Sequence, residues 1–452
     1  MKQPEVLPCS LFPVPCSLFP FLKKIMENSE IDFSQQDPKA LLNLVLTQLE
    51  RGDFQQRWEI SKILPDLGTI ALEPLLNILQ DETADVEMRW FVARILGNFK
   101  SELIIEPLIN LLKNAKIEAT EAEISLHEIT TVTLAGFGIS AIAPLTQLLE
   151  KPDSKLLATQ TLAQIRHSET IPPLLTVVDD PNSQIRAMAI EALGSFRDPR
   201  VIPILLAALN DPVADVRKQA VIGLGVRLDL LENINLVEKL KPLLWDIRPE
   251  VCQQTQLALA RLKTDEAATA IFEQVQSQSV PLALKIDGVR SLGWIETAKS
   301  LDYLQEIFLT FDPQFNLNLN PITIEEITLI QETVQCIGRI ETRELQEQAT
   351  QILINLINSN HPAVSDPKIK QLIALGLGKL GLIEAINPLI NLLVDPNPSV
   401  RFHCISALKQ IEPEQTYQHL QNLSQQENIS SDIKQAVLMA LSEICRGGFI
   451  EI

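Results

Sequence analysis

Around Arg186 the apolar positions Ile185, Ala189, Ile190, Ala192 and Leu193 follow helical spacing, as one buried helix face requires. The same arrangement restarts along the chain, mostly at steps of 31 to 35 residues. A short polar break precedes it: Asp180-Pro181-Asn182-Ser183-Gln184-Ile185-Arg186, Asp211-Pro212-Val213-Ala214-Asp215-Val216-Arg217 and Asp395-Pro396-Asn397-Pro398-Ser399-Val400-Arg401. In each, an Asp stands six positions before a basic residue. Eight positions after the base a glycine often follows, as from Arg89 to Gly97, Arg186 to Gly194, Arg217 to Gly225, Lys285 to Gly293 and Lys370 to Gly378. Arg57, Lys155, Arg401 and Lys434 keep the register without that glycine, and Glu128, Cys252 and Ile330 occupy the slot where the base is missing. Twelve units result.

Each unit reads as two helices. The second begins near the base, with Asn397 as N-cap and Pro398 at the first helical position in the clearest case. The small alanines allow close helix–helix approach, and the glycine is expected to supply a left-handed C-terminal cap. The first helix carries a Pro-apolar-apolar signature: Glu73-Pro74-Leu75-Leu76, Glu106-Pro107-Leu108-Ile109, Ile202-Pro203-Ile204-Leu205 and Asn387-Pro388-Leu389-Ile390. There Asp198 is expected to cap, and Pro203, late in the first turn, to bend the helix slightly. One hairpin cannot bury its apolar faces alone, so stability requires stacking on neighbours. The expected fold is all-α: a right-handed α-solenoid of about twelve helical hairpins, its second helices lining a concave side. The recurring Asp and base are expected to form a structural ladder of charge-assisted hydrogen bonds. Its members are Arg57, Arg89, Lys155, Asp180, Arg186, Asp211, Arg217, Lys285, Lys370, Asp395, Arg401 and Lys434.

The first 25 residues differ from the rest. Pro8-Cys9-Ser10-Leu11-Phe12-Pro13 recurs as Pro15-Cys16-Ser17-Leu18-Phe19-Pro20. Its prolines break any helical h-region, and Lys23 and Lys24 follow the apolar part instead of preceding it, the wrong layout for a secretory signal. Residues 1–25 are therefore expected to be a disordered or mis-assigned extension, with translation starting at Met26. The solenoid is expected over 26–310 and 326–446, with an interrupting loop at 311–325 and a tail at 447–452. A second insertion spans Asn358 to Pro367; both insertions are expected to be solvated.

Composition narrows the function. Hydrophobic residues are 46% and aromatics only 5%, which suits helices packed through Leu, Ile and Ala. Asp and Glu number 57 against 38 Lys and Arg, for a net charge of −19. Sequence-independent nucleic-acid binding needs the opposite sign, and anionic membrane surfaces are disfavoured for the same reason. No uninterrupted apolar run reaches the ~20 residues that a spanning helix needs. The six cysteines are dispersed without a CxxC, which favours a reducing, cytoplasmic setting over a disulfide framework.

Catalytic motifs are lacking. The five histidines have no paired ligand spacing, and neither GxSxG nor GxxxxGK[ST] occurs, so no metal site or catalytic residue is assigned. Gly376-x-Gly378-x-x-Gly381 lies in a helical context and reads as a helix C-cap. Cys336 and Cys404 occupy the unit positions of Ala192 and Ala189, which makes them small core residues. Cys252, in the ladder slot, is the cysteine to test for reactivity. Positions one, two and five past the ladder should face the groove and hold Trp58, Trp90, Phe91, Arg94, Met188, Lys218, Arg290, Phe402 and His403. Aromatics mixed with arginine suit a binding hot spot; gap-filling between neighbouring units is the alternative.

The pattern Asp-Pro-x-x-x-Val/Ile-Arg-x-x-Ala-x-x-Ala-Leu-Gly, closest over Asp180 to Gly194 and Asp211 to Gly225, resembles the HEAT-like repeat of phycobilisome lyase-type proteins from cyanobacteria. Met88-Arg89-Trp90-Phe91-Val92-Ala93-Arg94-Ile95-Leu96-Gly97 is similar to a segment of the larger lyase subunit. The resemblance covers about 40 to 445. It implies one of two functions. One is a non-catalytic scaffold for assembly, maintenance or turnover of a phycobilisome or related complex, with a phycobiliprotein as partner in the groove and no cofactor. The other is a bilin lyase subunit, holding a phycobilin while a phycobiliprotein cysteine attacks it; such chemistry needs mainly orientation and protonation.

Overall fold

The computed structural model describes residues 38–446, apart from 116–117, 231–233, 311–321 and 427. The expectations for the N-terminal extension and the 447–452 tail, and most of the 311–325 loop, lie outside the described residues. No strand occurs among them. All twelve repeat slots fall in the second helix of a helical pair, from Arg57 in Phe54–Ile63 to Lys434 in Ser431–Arg446. The all-α repeat architecture follows.

The chain divides into two compact units after Val201. In the first, the second helices Phe54–Ile63, Val86–Leu96, Glu121–Ala135, Pro152–Ile165 and Ser183–Gly194 each pack on the next. The first helices Leu72–Gln80, Ile105–Lys113 and Ile139–Leu148 form the other layer. In the second unit, Ala214–Gly225, Pro249–Leu262, Leu282–Ile295, Ile324–Ile337, Pro367–Leu380 and Pro398–Gln410 pack successively. Asp265–Gln276, Ala298–Thr310, Arg343–Asn358 and Ile386–Leu392 stack beside them. The core of each unit lies between its layers, as helices with one apolar stripe require. Leu75, Leu96, Leu108, Leu224, Leu259 and Leu377 are wholly buried there.

The proline signature works differently from a bent helix. A 3-10 turn opens these first helices: Glu102–Ile104 before Ile105–Lys113, Pro199–Val201 before Ile202–Ala208, and Ile383–Ala385 before Ile386–Leu392. The carbonyl that Pro107, Pro203 or Pro388 would serve four residues back lies in that turn, so the missing N–H interrupts no α-helical ladder. Asp198 caps the 3-10 turn, its Oδ1 accepting from the Arg200 N–H at 2.9 Å.

The repeat glycines are not left-handed caps. Gly97 has φ −61°, and Gly194, Gly225, Gly293 and Gly378 lie inside helices. Their role is close approach. A Cβ on Gly225 would stand 2.6 Å from Ala258 Cβ, one on Gly293 2.8 Å from Cys336 Cβ, and one on Gly378 2.8 Å from Ala407 Cβ. Each contact is with the second helix of the following hairpin, so glycine here sets how tightly neighbours pack. Gly381 does cap, at φ 72° with its N–H donating to Leu377 O. Elsewhere non-glycine residues take the left-handed position: Arg166, Lys263 and Glu296 end their helices at φ 51°, 52° and 53°.

The insertion from Asn358 to Pro367 is seated, not merely solvated. It forms a 3-10 turn at Pro362–Ser365, and both His361 and Ala363 are buried. His361 Nε2 lies 3.0 Å from Phe308 O, and its Nδ1 accepts from the Ala363 N–H. The imidazole thus pins the loop to the preceding first helix.

Candidate functional site

The ladder has two kinds of rung. The Asp carboxylate in the turn splits its work: in Asp180, Asp211, Asp246, Asp366 and Asp395, Oδ1 accepts from the backbone N–H two residues on. In Asp180, Asp246 and Asp395 the carboxylate also serves the base of the preceding hairpin, whereas Asp366 Oδ2 accepts from Gln331 Nε2. Lys155 Nζ meets Asp180 Oδ2 at 2.8 Å, and Lys370 Nζ meets Asp395 Oδ2 at 2.6 Å. Arg217 holds Asp246 with two bonds of 2.7 Å, and Arg57 reaches both Asp85 and Glu87. Within a unit, the base takes the carbonyl of its own Asp instead. Arg186, Arg217 and Arg401 each donate to that oxygen, six residues back. Burial works against the charge of Asp180 and Asp246. The bases beside them and the turn N–H groups outweigh it and hold both carboxyls below their ordinary range.

Some slots make no ion pair among the described residues. Arg89 Nε donates to Leu79 O, with no carboxylate partner among the described residues. Lys285 and Lys434 likewise make no ion pair among the described residues.

Cys252 occupies the slot as an arginine mimic. Its Sγ lies 3.2 Å from Asp246 O, again six residues back. The residue is 3% exposed, beside Val280 and Leu284. Burial pushes its thiol up, and the Asp246 charge adds to that. A depressed pKa and access are what a reactive thiol needs, so Cys252 is a structural residue. Cys336 and Cys404 are buried too, and burial pushes both thiols up to about 12.

The groove candidates separate into distinct environments. Phe91 is wholly buried and belongs to the core, because position two past the slot turns inward on this helix. Its ring is the base of an aromatic cluster: Phe54 at 5.2 Å and Trp90 at 5.1 Å both meet it edge-on. Phe54 stacks on Trp58 at 6.2 Å and is half exposed. Arg94 crosses this surface, its Cζ 4.1 Å from the Trp58 ring centre and 5.8 Å from that of Trp90. It is exposed and pairs with no carboxylate among the described residues. Such cation–π contacts contribute ~0.5–2 kcal/mol each and leave the outward edge of the guanidinium free.

Arg290 is exposed but neutralised. It grips Glu332 at 2.9 and 3.1 Å and has Asp287 at 3.5 Å, so it joins neighbouring second helices. Lys218 pairs with Asp215. Phe402 is exposed, with His403 edge-on at 5.8 Å, and His403 Nδ1 lies 2.6 Å from Ser399 O. Position counting missed Phe54 and Trp294. Both are large exposed aromatics on second helices, and their size alone was the available signal.

No group of His, Cys, Asp and Glu among the described residues is arranged to hold a metal. No described helix is long and apolar enough to cross a membrane.

A family model for HEAT repeats matches residues 142–225 and 363–442. A model for non-SMC mitotic condensation complex subunit 1 matches 184–301. The chain is thus an all-α repeat protein carrying HEAT repeats. Among curated proteins none matches it. Similar solved structures include a Kap121p mutant, at 15% identity and TM-score 0.49, with 90% of this chain and 45% of that one covered. Another is the karyopherin Kap121p bound to the extreme C-terminus of the protein phosphatase Cdc14p, at 11% identity and TM-score 0.49, covering 96% and 55%. A third is importin beta, at 13% identity and TM-score 0.42, covering 94% and 68%. The chain spans about half the length of the Kap121p chains it matches.

Proposed function

We propose that this chain is a non-catalytic interaction scaffold that holds a protein partner on the second-helix face of Phe54–Ile63 and Val86–Leu96. The observation that carries this reading is Arg94, uncompensated in charge and laid across Trp58 and Trp90. Large aromatics beside an unpaired arginine are the composition of binding hot spots. HEAT repeats at 142–225 and 363–442 support the scaffold class. The resemblance of Asp180 to Gly194 to the phycobilisome lyase-type repeat supports a finer version: assembly, maintenance or turnover of a phycobilisome or related complex, in the cytoplasm, with a phycobiliprotein as partner.

The same cluster favours one second reading. An open-chain tetrapyrrole would stack on Trp58 and Trp90 while Arg94 paired with a propionate, as a bilin lyase subunit requires. Titration with phycocyanobilin tests it: red-shifted absorbance and fluorescence, lost in Trp90→Ala and Arg94→Ala, would establish the lyase reading. An unchanged spectrum leaves the scaffold. Affinity capture from phycobilisome-containing cells tests the scaffold's context. Retention of phycobiliproteins by the wild type and not by Arg94→Ala is the expected result; their absence from the retained material would remove the phycobilisome context.

A further inference from the structure

In the second compact unit, a pocket of about 460 Å³ opens between the second helices Pro249–Leu262 and Leu282–Ile295, with Arg339 at its edge. It lies apart from the aromatic cluster of the first unit and contains residues that no repeat rule singles out. Gln256, from Pro249–Leu262, forms one wall and is wholly buried. Its Nε2 is used twice, donating to Gln274 Oε1 at 2.6 Å and to Leu284 O at 3.0 Å. Its Oε1 has no hydrogen-bond partner among the described residues. A buried acceptor without a donor is unfavourable, and native structures leave few of them. Trp294, 52% exposed, supplies an apolar wall. Arg339, exposed just beyond Ile324–Ile337, supplies a cation that pairs with no carboxylate among the described residues. The other two charges present, Asp287 and Arg290, are already engaged. Gln253 Nε2 donates to Asp287, and Arg290 grips Glu332.

We infer that this pocket binds an acidic peptide segment of a partner protein. A carboxylate of the segment pairs with Arg339, and its apolar neighbour lies on Trp294. Charge complementarity selects an acidic segment over a basic one, because Arg339 is the unneutralised charge in the pocket. The rest of the chain argues against mere attraction at long range. At a net charge of −19 it repels acidic peptides, so any retention must come from a local site.

The experiment measures fluorescence anisotropy of labelled peptides against the full chain. The peptides share one length and one Asn/Leu background, and differ only in carrying Glu, Gln or Lys at the same positions. The Glu peptide is expected to bind and the Lys peptide not to. Arg339→Gln and Trp294→Ala, both at exposed positions, should each weaken binding about tenfold or more. Lys299→Gln, an exposed cation elsewhere in the same unit that lies over Tyr303, should leave binding unchanged. Trp90→Ala should also leave it unchanged, which separates this site from the cluster in the first unit. Equal or better binding of the Gln or Lys peptide, no binding of the Glu peptide, or equal losses in Lys299→Gln and Arg339→Gln would overturn the inference.

Discussion

Arg217 reaches from its own hairpin into the next and holds Asp246 through two hydrogen bonds of 2.7 Å. The pair is well buried, at 13% and 7% side-chain exposure. Arg217 also donates to Asp211 O, and Cys252 meets Asp246 O from the other side. A single Asp therefore joins two hairpins and its own turn. Removing one partner of such a pair strands the other charge, which costs ~3–5 kcal/mol. Asp246→Ala is expected to lose stability in that range by urea denaturation. Simultaneous loss of Arg217 should cost less than the sum of the single changes.

The same contact sets an acid limit. Burial raises the Asp246 carboxyl, but Arg217 and the Arg248 N–H lower it further, so its folded value lies below the ordinary 3.8. A depressed carboxylate stabilises the fold fully above its unfolded value. That contribution fades as pH falls from about 3.8 through the lowered folded value. Asp180 follows the same rule. Acid titration of stability should show a loss confined to this window, and Asp246→Asn should flatten part of it. An identical acid profile in Asp246→Asn would contradict the assignment.

Gly225 tests the packing role of the repeat glycine. Its missing Cβ would stand 2.6 Å from Ala258 Cβ, so Gly225→Ala must push neighbouring second helices apart. Overpacking of this kind costs ~1–3 kcal/mol. Adding Ala258→Gly should recover part of the loss in thermal or urea denaturation, since Ala258 Cα still stands 3.0 Å from the new Cβ and a helix-interior glycine costs ~0.5–1 kcal/mol. A strictly additive double variant would mean the glycine matters for another reason.

Lys263 ends Pro249–Leu262 at φ 52° and is exposed. A side chain in the left-handed region costs ~1–2 kcal/mol, which glycine avoids. Lys263→Gly should raise the denaturation midpoint. Glu296→Gly should not, because the Glu296 carboxylate accepts from the Glu341 and Thr342 N–H groups and its loss offsets the relief.

The repeat period and the helical hairpins were legible because each unit repeats one apolar pattern, and all twelve slots fall on second helices. What the residues do was less legible. Glycine at a helix end serves a cap or a close neighbour equally well in one dimension; only the 2.6 Å approach at Gly225 decides. Spacing placed Asp and Arg in one unit but could not show that the carboxylate faces the preceding hairpin while the carbonyl takes the arginine. Phe91 was read as facing the groove because counting fixes a face only to within one position. Arg290 kept its exposure but lost its free charge to Glu332, which is 42 residues away. Gln256 and Trp294 carry no motif, and their significance exists only in the packed unit.

The central claim is that a partner protein lies on the face formed by Trp58, Trp90 and Arg94. Hydrogen–deuterium exchange of the full chain, with and without a captured partner, addresses it directly. The claim predicts added protection in peptides covering 54–63 and 86–97, and none in the first helix Ile105–Lys113. The protection should disappear in Arg94→Ala. Protection confined to Ile105–Lys113, or unchanged by Arg94→Ala, would contradict it.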